Sequence, residues 1–432
     1  MMNNEELIVR NFFSLKDIDI GLGKFNIFIG EQTSGKSLII KLIAFFRIYG
    51  MFQINDYQRE LSQVNEFILS QFKNMFNLGA GGDELSNKFF TEYKFDSYSI
   101  IIKKNTANNL EIIFSDNLSK IFDLAKKILQ EKKQELSAKS SDQITVNKLM
   151  LIEAHSVETK YNVSKYVNQN VFIPAQRSFL SSISSNVFRA WSGSLNNNIS
   201  SLDLGALLRL DYFLANLGDL YADGISSFDW VKAANDDVIK ETVAHIDKLA
   251  NKILKGYFVP DIAGGFIQHE NYTARLNSAS SGQQEFLPMY IVLREYVYLS
   301  KRHSEVGSFA NLYIEEPEAH LYPTAQKSIT ELLVYITNIS GAGGLCITTH
   351  SPYILTVLNN LILAGSIPEQ KIIDPNTAVK FDEVQAYFIS DGWARSLRDE
   401  ESQLIVADEL DSVSEDNADE FGTLLDLKYD QR

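Results

Sequence analysis

The chain has 432 residues, of which 45% are hydrophobic and 22% charged, and its net charge is −15 at pH 7. These values are typical of a globular protein with a large core. The negative charge argues against a surface coated for nucleic acid, because phosphate contacts need clustered Lys and Arg, although a local basic groove stays open. The single cysteine, Cys346, excludes an internal disulfide framework. No run approaches the length of a membrane span or resembles a secretion signal, so we expect a cytoplasmic protein without membrane contact.

A phosphate-binding loop is predicted near the N-terminus, at residues 30–37. Its letters fit G-x-x-x-x-G-K-S, with an apolar strand pattern before them and a helical pattern after them. Glycines in such a loop let backbone N–H groups face an anion, while Lys36 reaches the β- and γ-phosphates and the Ser37 hydroxyl binds Mg²⁺. The predicted nucleotide-binding residues are Gly30, Glu31, Gln32, Thr33, Ser34, Gly35, Lys36, Ser37 and Leu38. The chain is therefore predicted to bind a nucleoside triphosphate.

Other elements follow from hydrophobic periodicity along the chain. Two short strands are expected over residues 7–20 and a hairpin over 95–102 and 110–114. Apolar residues at helical spacing predict an amphipathic helix over 118–137. A buried strand is expected at 171–174, and the composition of 179–255 is helical and polar.

An apolar strand over residues 309–316 ends in two carboxylates, Glu315 and Glu316. An enzyme with a phosphate-binding loop needs one acid for the Mg²⁺ shell and another to polarise the attacking water. We assign Glu315 to the metal and Glu316 to the water. A strand that ends in two acids is common by chance, so the assignment depends on the loop upstream.

Two further segments are candidates for contacts with phosphate. His350 ends a third buried strand, where it is either structural or close enough to reach the γ-phosphate. Ser281, Gly282 and Gln283 open a helix, either as an ordinary capped start or as a second anion-binding helix terminus.

Taken together, the loop, S-S-G-Q-Q-E, I-E-E-P-E-A-H-L-Y-P and T-T-H-S-P resemble the motifs of ABC-type ATPases, in particular SMC, RecF and overcoming-lysogenization-defect (OLD) heads. The resemblance implies an α/β P-loop fold with a mixed central sheet, flanking helices and an inserted α-helical subdomain. It also implies two heads docked head-to-tail. ATP then lies between the loop of one head and Ser281, Gly282 and Gln283 of the other, with residues 318–323 crossing the interface.

The motifs depart from the family pattern in a few places. Glu315 stands where transporters and SMC heads usually have Asp, and the leading Leu of the signature is missing. Gln53 and Gln58 are both candidates for the Q-loop glutamine. Arg177, in a P-A-Q-R-S segment, is either a nucleotide sensor or a salt-bridged structural residue.

The expected domains follow from these motifs. They are an N-terminal lobe of the head (1–115), a helical insertion (116–170), a strand that returns to the head (171–178), a helical subdomain (179–256), a C-terminal lobe of the head (257–395) and an acidic C-terminal segment (396–432). Such an acidic segment is typical of solvated chain or of a docking arm for a basic partner.

Too little of the sequence follows His350 for the Toprim nuclease of OLD proteins, so we expect no nuclease in this chain, and the sequence shows no pattern for long coiled-coil arms. It most resembles the ATPase subunits of two-component bacterial anti-phage systems, Septu (PtuA) and PARIS (AriA). That resemblance implies a slow regulatory ATPase. It would form a homo-oligomer, at least a dimer and up to a hexamer, that responds to a phage-derived trigger and controls a separate nuclease.

The alternative is a RecF-like repair clamp that binds duplex DNA. A basic stripe would favour it, and the one obvious lysine cluster is Lys126, Lys127, Lys132 and Lys133.

Overall fold

The computed structural model describes residues 5–49, 60–79, 82–139, 169–178, 236–261, 265–302, 310–339, 344–406 and 420–421. The strands are β1 (Glu5–Phe12), β2 (Leu15–Leu22), β3 (Phe25–Ile29), β4 (Phe90–Phe95), β5 (Tyr98–Lys104), β6 (Leu110–Phe114), β7 (Gln169–Ile173), β8 (Tyr257–Val259), β9 (Phe266–Gln268), β10 (Thr273–Arg275), β11 (Ala310–Glu315), β12 (Leu345–Thr349), β13 (Val384–Ser390), β14 (Trp393–Ser396), β15 (Arg398–Asp399) and β16 (Leu404–Ile405). The helices are α1 (Lys36–Tyr49), α2 (Leu61–Met75), α3 (Asp116–Lys139), α4 (Asp237–Leu254), α5 (Ser281–Arg302), α6 (Pro323–Ile339) and α7 (Pro352–Ser366). None of these described helices is both long and apolar enough to cross a bilayer.

Eleven strands form one mixed sheet, in the order β6-β5-β4-β1-β2-β14-β13-β3-β12-β11-β7. The five strands β13, β3, β12, β11 and β7 pair in parallel. From β6 to β2, every pair is antiparallel. The predicted α/β fold, with a mixed central sheet and flanking helices, is confirmed.

Apolar cores cover both faces of the parallel half of the sheet. In β3, every residue is buried, as expected for a parallel strand with helices on both sides. Phe25, Ile27 and Ile29 face a core built with α4 to α7. Phe28 and Cys346 face a second core built with α1 to α3, and burial raises the pKa of the Cys346 thiol to about 11. The parallel strands thus form the middle of three layers.

A buried ion pair fastens the end of α1 to the sheet. The Nη2 atom of Arg47 lies 2.6 Å from Oε2 of Glu5, and both side chains are 5% exposed. The Tyr93 hydroxyl donates to the same carboxylate oxygen, and Arg47 also donates to Oδ1 of Asn311 at 3.4 Å. This cluster ties the helix that follows the loop to β1, β4 and β11.

Some predicted elements have different limits in the structure. The predicted strand over 95–102 is wrong at its start, because Phe95 ends β4 and Asp96 adopts a left-handed turn conformation (φ 48°) before β5 begins. The pairing of β5 with β6 confirms the predicted hairpin.

The predicted insertions and the acidic segment are described only in part. Residues 140–168 and 179–235 lie outside the described residues. The apolar side of α3 packs into the second core, and α4 packs into the first. The first residues of the acidic segment are folded, because β15 and β16 pair there and Leu397 and Ile405 are buried. Of the two interpretations of the segment, solvated chain does not apply to these residues.

Candidate functional site

The predicted phosphate-binding loop joins β3 to α1, which begins at Lys36. Gly30 and Gly35 have φ values of 152° and 100°. A Cβ at Gly30 would lie 2.2 Å from the carbonyl oxygen of Ile389, and one at Gly35 would lie 2.4 Å from Cδ2 of Leu15. Both positions therefore require glycine, because neither the backbone angle nor the space suits a side chain.

The Lys36 ammonium lies inside this loop. Its Nζ donates to the carbonyl oxygens of Gly30 at 2.9 Å and Glu31 at 2.6 Å, and to Oγ of Ser34 at 3.3 Å. Burial lowers the pKa of Lys36, while the charges of Glu316 and Glu318 oppose that shift. The loop therefore concentrates positive charge and N–H groups at the N-terminus of α1, where an anion is favoured.

Three adjacent parallel strands bring most predicted site residues to one edge of the sheet. The loop follows β3, His350 follows β12, and Glu315 ends β11. Strands β3, β12 and β11 are neighbours, and the carboxyl ends of parallel strands are the usual place for ligands in open α/β sheets. Nε2 of His350 lies 3.3 Å from Oε1 of Glu316. The two predicted catalytic side chains are thus in contact.

The two acids at the carboxyl end of β11 differ in environment. Glu315 is buried, and its Oε2 accepts a hydrogen bond from the backbone N–H of Ala175 at 3.2 Å. Glu316 is partly exposed and has a left-handed backbone (φ 45°). Its N–H donates to the carbonyl oxygen of Thr348 at 2.9 Å. In the part of the chain that the structure describes, no cluster of three or more His, Cys, Asp or Glu residues could by itself hold a metal ion.

Arg177 lies beneath these acids and is fully buried. Its Nη atoms donate to the carbonyl oxygens of Glu315 at 2.8 Å and Glu316 at 2.9 Å, and its Nε donates to that of Glu285 at 3.0 Å. The Glu285 carboxylate lies 3.6 Å from the same Nε. Of the two readings of the sequence, these contacts favour the salt-bridged structural residue.

Ser281, Gly282 and Gln283 form the first turn of α5. Gly282 packs so closely that a Cβ there would lie 2.7 Å from the carbonyl oxygen of His320. Within the described residues, no hydrogen bond or ion pair connects these three residues with residues 30–38. Gln53 and Gln58 fall outside the described residues.

A cavity of about 420 Å³ opens beside the loop, and sequence reasoning missed it. It is lined by Ser14, Lys16, Glu31, Gln32, Thr33, Ser34, Phe388, Ser390, Asp391 and Gly392. The Gly392 carbonyl oxygen accepts hydrogen bonds from the N–H groups of Lys16 at 2.9 Å and Asp17 at 3.1 Å. No local motif marks the lining residues outside the loop, because the cavity arises where the β1–β2 and β13–β14 turns meet it.

Several solved structures resemble this chain. An SMC head bound to the C-winged helix domain of ScpA is 14% identical with a TM-score of 0.41, covering 93% of this chain and 99% of that chain. The SMC head domain from Thermotoga maritima is 10% identical with a TM-score of 0.37, covering 93% and 100%. The recombination mediator protein RecF with ATP is 12% identical with a TM-score of 0.36, covering 92% and 99%. Similarities this weak do not inform the function of the chain.

No curated protein matches the sequence. One family model matches residues 25–356, which is more than half of the chain. The matched span contains the loop, Glu315, Glu316 and His350. The chain therefore belongs to the family described as "AAA domain, putative AbiEii toxin, Type IV TA system".

Proposed function

We propose that the chain binds ATP at residues 30–38 and hydrolyses it. The observation that carries this proposal is the meeting of the loop, Glu316 and His350 at the carboxyl ends of β3, β11 and β12, with Glu316 and His350 3.3 Å apart. The glycine conformations at both ends of the loop fit a phosphate group, since they turn the backbone around an anion without side chains in the way. Lys36 then binds the β- and γ-phosphates. The cavity beside the loop takes the nucleoside.

Hydrolysis requires a positioned water. The Glu316 carboxylate orients the water and accepts its proton as the oxygen attacks the γ-phosphorus and the bond to ADP breaks. Nε2 of His350 lies 3.3 Å from Oε1 of Glu316, where the imidazole keeps the carboxylate directed to the water. The Ser37 hydroxyl and the Glu315 carboxylate are oxygen donors of the kind that Mg²⁺ prefers and would hold it. The ion would neutralise charge on the phosphate oxygens.

The same proposal includes a head-to-tail dimer. Ser281 is exposed in the first turn of α5. The positive end of the helix dipole lies at this turn. Because no hydrogen bond or ion pair joins Ser281, Gly282 and Gln283 to the loop of their own chain in the described residues, a second copy is the natural source of the phosphate they would bind.

In the cell, we infer a role as sensor and scaffold of a bacterial anti-phage system that restrains or releases a separate nuclease. The family description supports a system with a toxic component, since it names a putative toxin of a toxin–antitoxin system. The net charge of −15 favours a protein partner over nucleic acid. In the lysine cluster that would favour the DNA clamp, Lys126 is paired with Glu60 at 2.7 Å.

ATP turnover and binding by three variants test the enzymatic part. Lys36→Ala removes the cation from the phosphates, so we expect ATP binding to weaken by about 100-fold or more.

Glu316→Gln keeps binding but slows hydrolysis by about 100- to 1,000-fold, because the water loses its base. It also traps an ATP-dependent dimer, visible by size-exclusion chromatography. Lys120→Ala, an exposed lysine on α3, serves as the matched control. Unchanged ATP affinity of Lys36→Ala would contradict the site.

A further inference from the structure

Glu318 connects the two catalytic strands. It follows Glu316 by two residues and is only 8% exposed. Its Oε1 accepts a hydrogen bond from the Thr349 hydroxyl at 2.6 Å and another from the backbone N–H of His350 at 2.8 Å. One carboxylate oxygen on the loop after β11 therefore holds both the last residue of β12 and the residue after it.

This contact belongs to a short network that fixes the backbone around His350. Oγ1 of Thr349 also accepts a hydrogen bond from the N–H of Ser351 at 3.0 Å. The Ser351 hydroxyl lies 2.5 Å from Oε1 of Gln326. The Gln326 amide in turn donates to the carbonyl oxygen of Leu321 at 2.9 Å. The turn after β12 is thus connected to the segment after β11 twice, through Glu318 and through Gln326.

Glu318 is also a costly residue to bury. Its second oxygen, Oε2, is buried and has no hydrogen-bond partner among the described residues. Burial raises the pKa of the Glu318 carboxyl, and the hydrogen bonds from Thr349 and His350 oppose that shift. A carboxylate in this environment is less stable than an apolar side chain of similar size. What Glu318 supplies, and an apolar residue would not, is the pair of acceptor contacts to the turn that carries His350.

We propose that Glu318 is a positioning residue, which fixes the backbone of Thr349 and His350 and thereby sets the imidazole against the Glu316 carboxylate. The inference deepens the proposed ATP hydrolysis and rests on it. Glu318 itself touches neither the water nor the phosphates in this scheme. It acts through His350, whose ring is 3.3 Å from Glu316. A displacement of the ring by about 1 Å would suffice to slow a positioned reaction roughly 100-fold.

Four variants separate this role from others by their kcat, KM for ATP and melting temperature. Glu318→Ala removes both acceptor contacts, so we expect kcat to fall about 10- to 100-fold while ATP affinity changes less than about threefold. Glu318→Gln keeps an oxygen acceptor for both donors, so kcat should stay within about threefold of wild type. Thr349→Val removes the hydroxyl that donates to Glu318 but leaves the contact from the His350 N–H group, so it should lower kcat less than Glu318→Ala. The double variant should be no slower than Glu318→Ala, because both changes break one network.

Thr91→Val is the matched control, since Thr91 is fully buried in β4 and its hydroxyl donates to the carbonyl oxygen of Ile8 at 3.1 Å. Its kcat should equal that of wild type. Two results would overturn the inference: a kcat of Glu318→Ala equal to wild type, or a Glu318→Gln variant as slow as Glu318→Ala, which would mean that the charge and not the acceptor geometry matters.

Hydrogen exchange at the His350 amide gives a readout that needs no turnover. Exchange should be faster in Glu318→Ala than in wild type and unchanged in Glu318→Gln, because only the alanine variant frees this N–H group. Equal exchange in all three would contradict the contact. If wild type fails to hydrolyse ATP while the exchange result holds, the proposed hydrolysis fails and the positioning of His350 stands.

Discussion

Gly30 occupies a backbone position without room for a side chain. A Cβ there would lie 2.2 Å from the carbonyl oxygen of Ile389, on the neighbouring strand β13, and the φ value of 152° is unfavourable for other residues. Gly30→Ala should therefore lower the free energy of unfolding by about 1–3 kcal/mol and weaken ATP binding, because β3 and β13 must separate. Chemical denaturation and ATP titration measure the two effects.

Gly21→Ala is the matched control for that substitution. Gly21 lies in β2 with an ordinary backbone conformation, and the nearest atom to a Cβ there is the Tyr387 hydroxyl at 3.8 Å. We expect stability and ATP affinity close to those of wild type. An equally stable Gly30→Ala variant with normal affinity would show that the loop tolerates a different backbone.

At the scale of secondary-structure elements, Arg177 joins the ends of three of them. It follows β7, donates to the carbonyl oxygens of Glu315 and Glu316 at the carboxyl end of β11, and contacts both the backbone and the carboxylate of Glu285 in α5. Glu316 has a left-handed backbone (φ 45°), which costs about 1 kcal/mol or more unless its surroundings enforce it. Arg177 is well placed to enforce it.

Arg177→Met should destabilise the protein by about 3–5 kcal/mol, because it leaves buried carbonyl oxygens and the Glu285 carboxylate without their cation. Urea unfolding monitored by fluorescence measures this loss. Arg177→Lys should recover only part of it, since an ammonium cannot reach all of these acceptors at once. If the methionine variant were as stable as wild type, the cluster would contribute nothing net to stability.

The features that were predicted from the sequence are each marked by residues that are consecutive in the chain. The loop at 30–37, the acids after β11 and His350 after β12 each follow a buried apolar run. The acceptor role of Glu318, the partners of Arg177 and the cavity beside the loop depend on pairings between distant segments, such as Gly392 with Lys16. Strand register, which sets these pairings, is not encoded in any local pattern. The turn at Asp96 was missed because a β-branched run follows it in the sequence, so the pattern looks like one continuous strand.

At the scale of the whole molecule, the proposed role predicts the mass of the assembly that the protein forms with itself and with its effector. We expect native mass spectrometry of the protein, co-purified with the products of neighbouring genes, to show a stable oligomer that carries a nuclease subunit. A monomer–dimer that gains mass only with duplex DNA would contradict the defence role and support the repair clamp. The control is Lys36→Ala, in which an ATP-dependent assembly should be lost while an ATP-independent one stays.

Because Cys346 is buried, the folded protein should react very slowly with thiol reagents. Its side chain is inaccessible in the second core, and a pKa of about 11 leaves almost no thiolate near neutral pH. Because Cys346 is the single cysteine of the chain, a maleimide fluorophore placed at an introduced surface cysteine would report from one site only. Conversely, labelling of the unmodified protein would time the opening of the sheet between β3 and β11. The chain thus carries its own unfolding probe within β12, the strand that His350 follows.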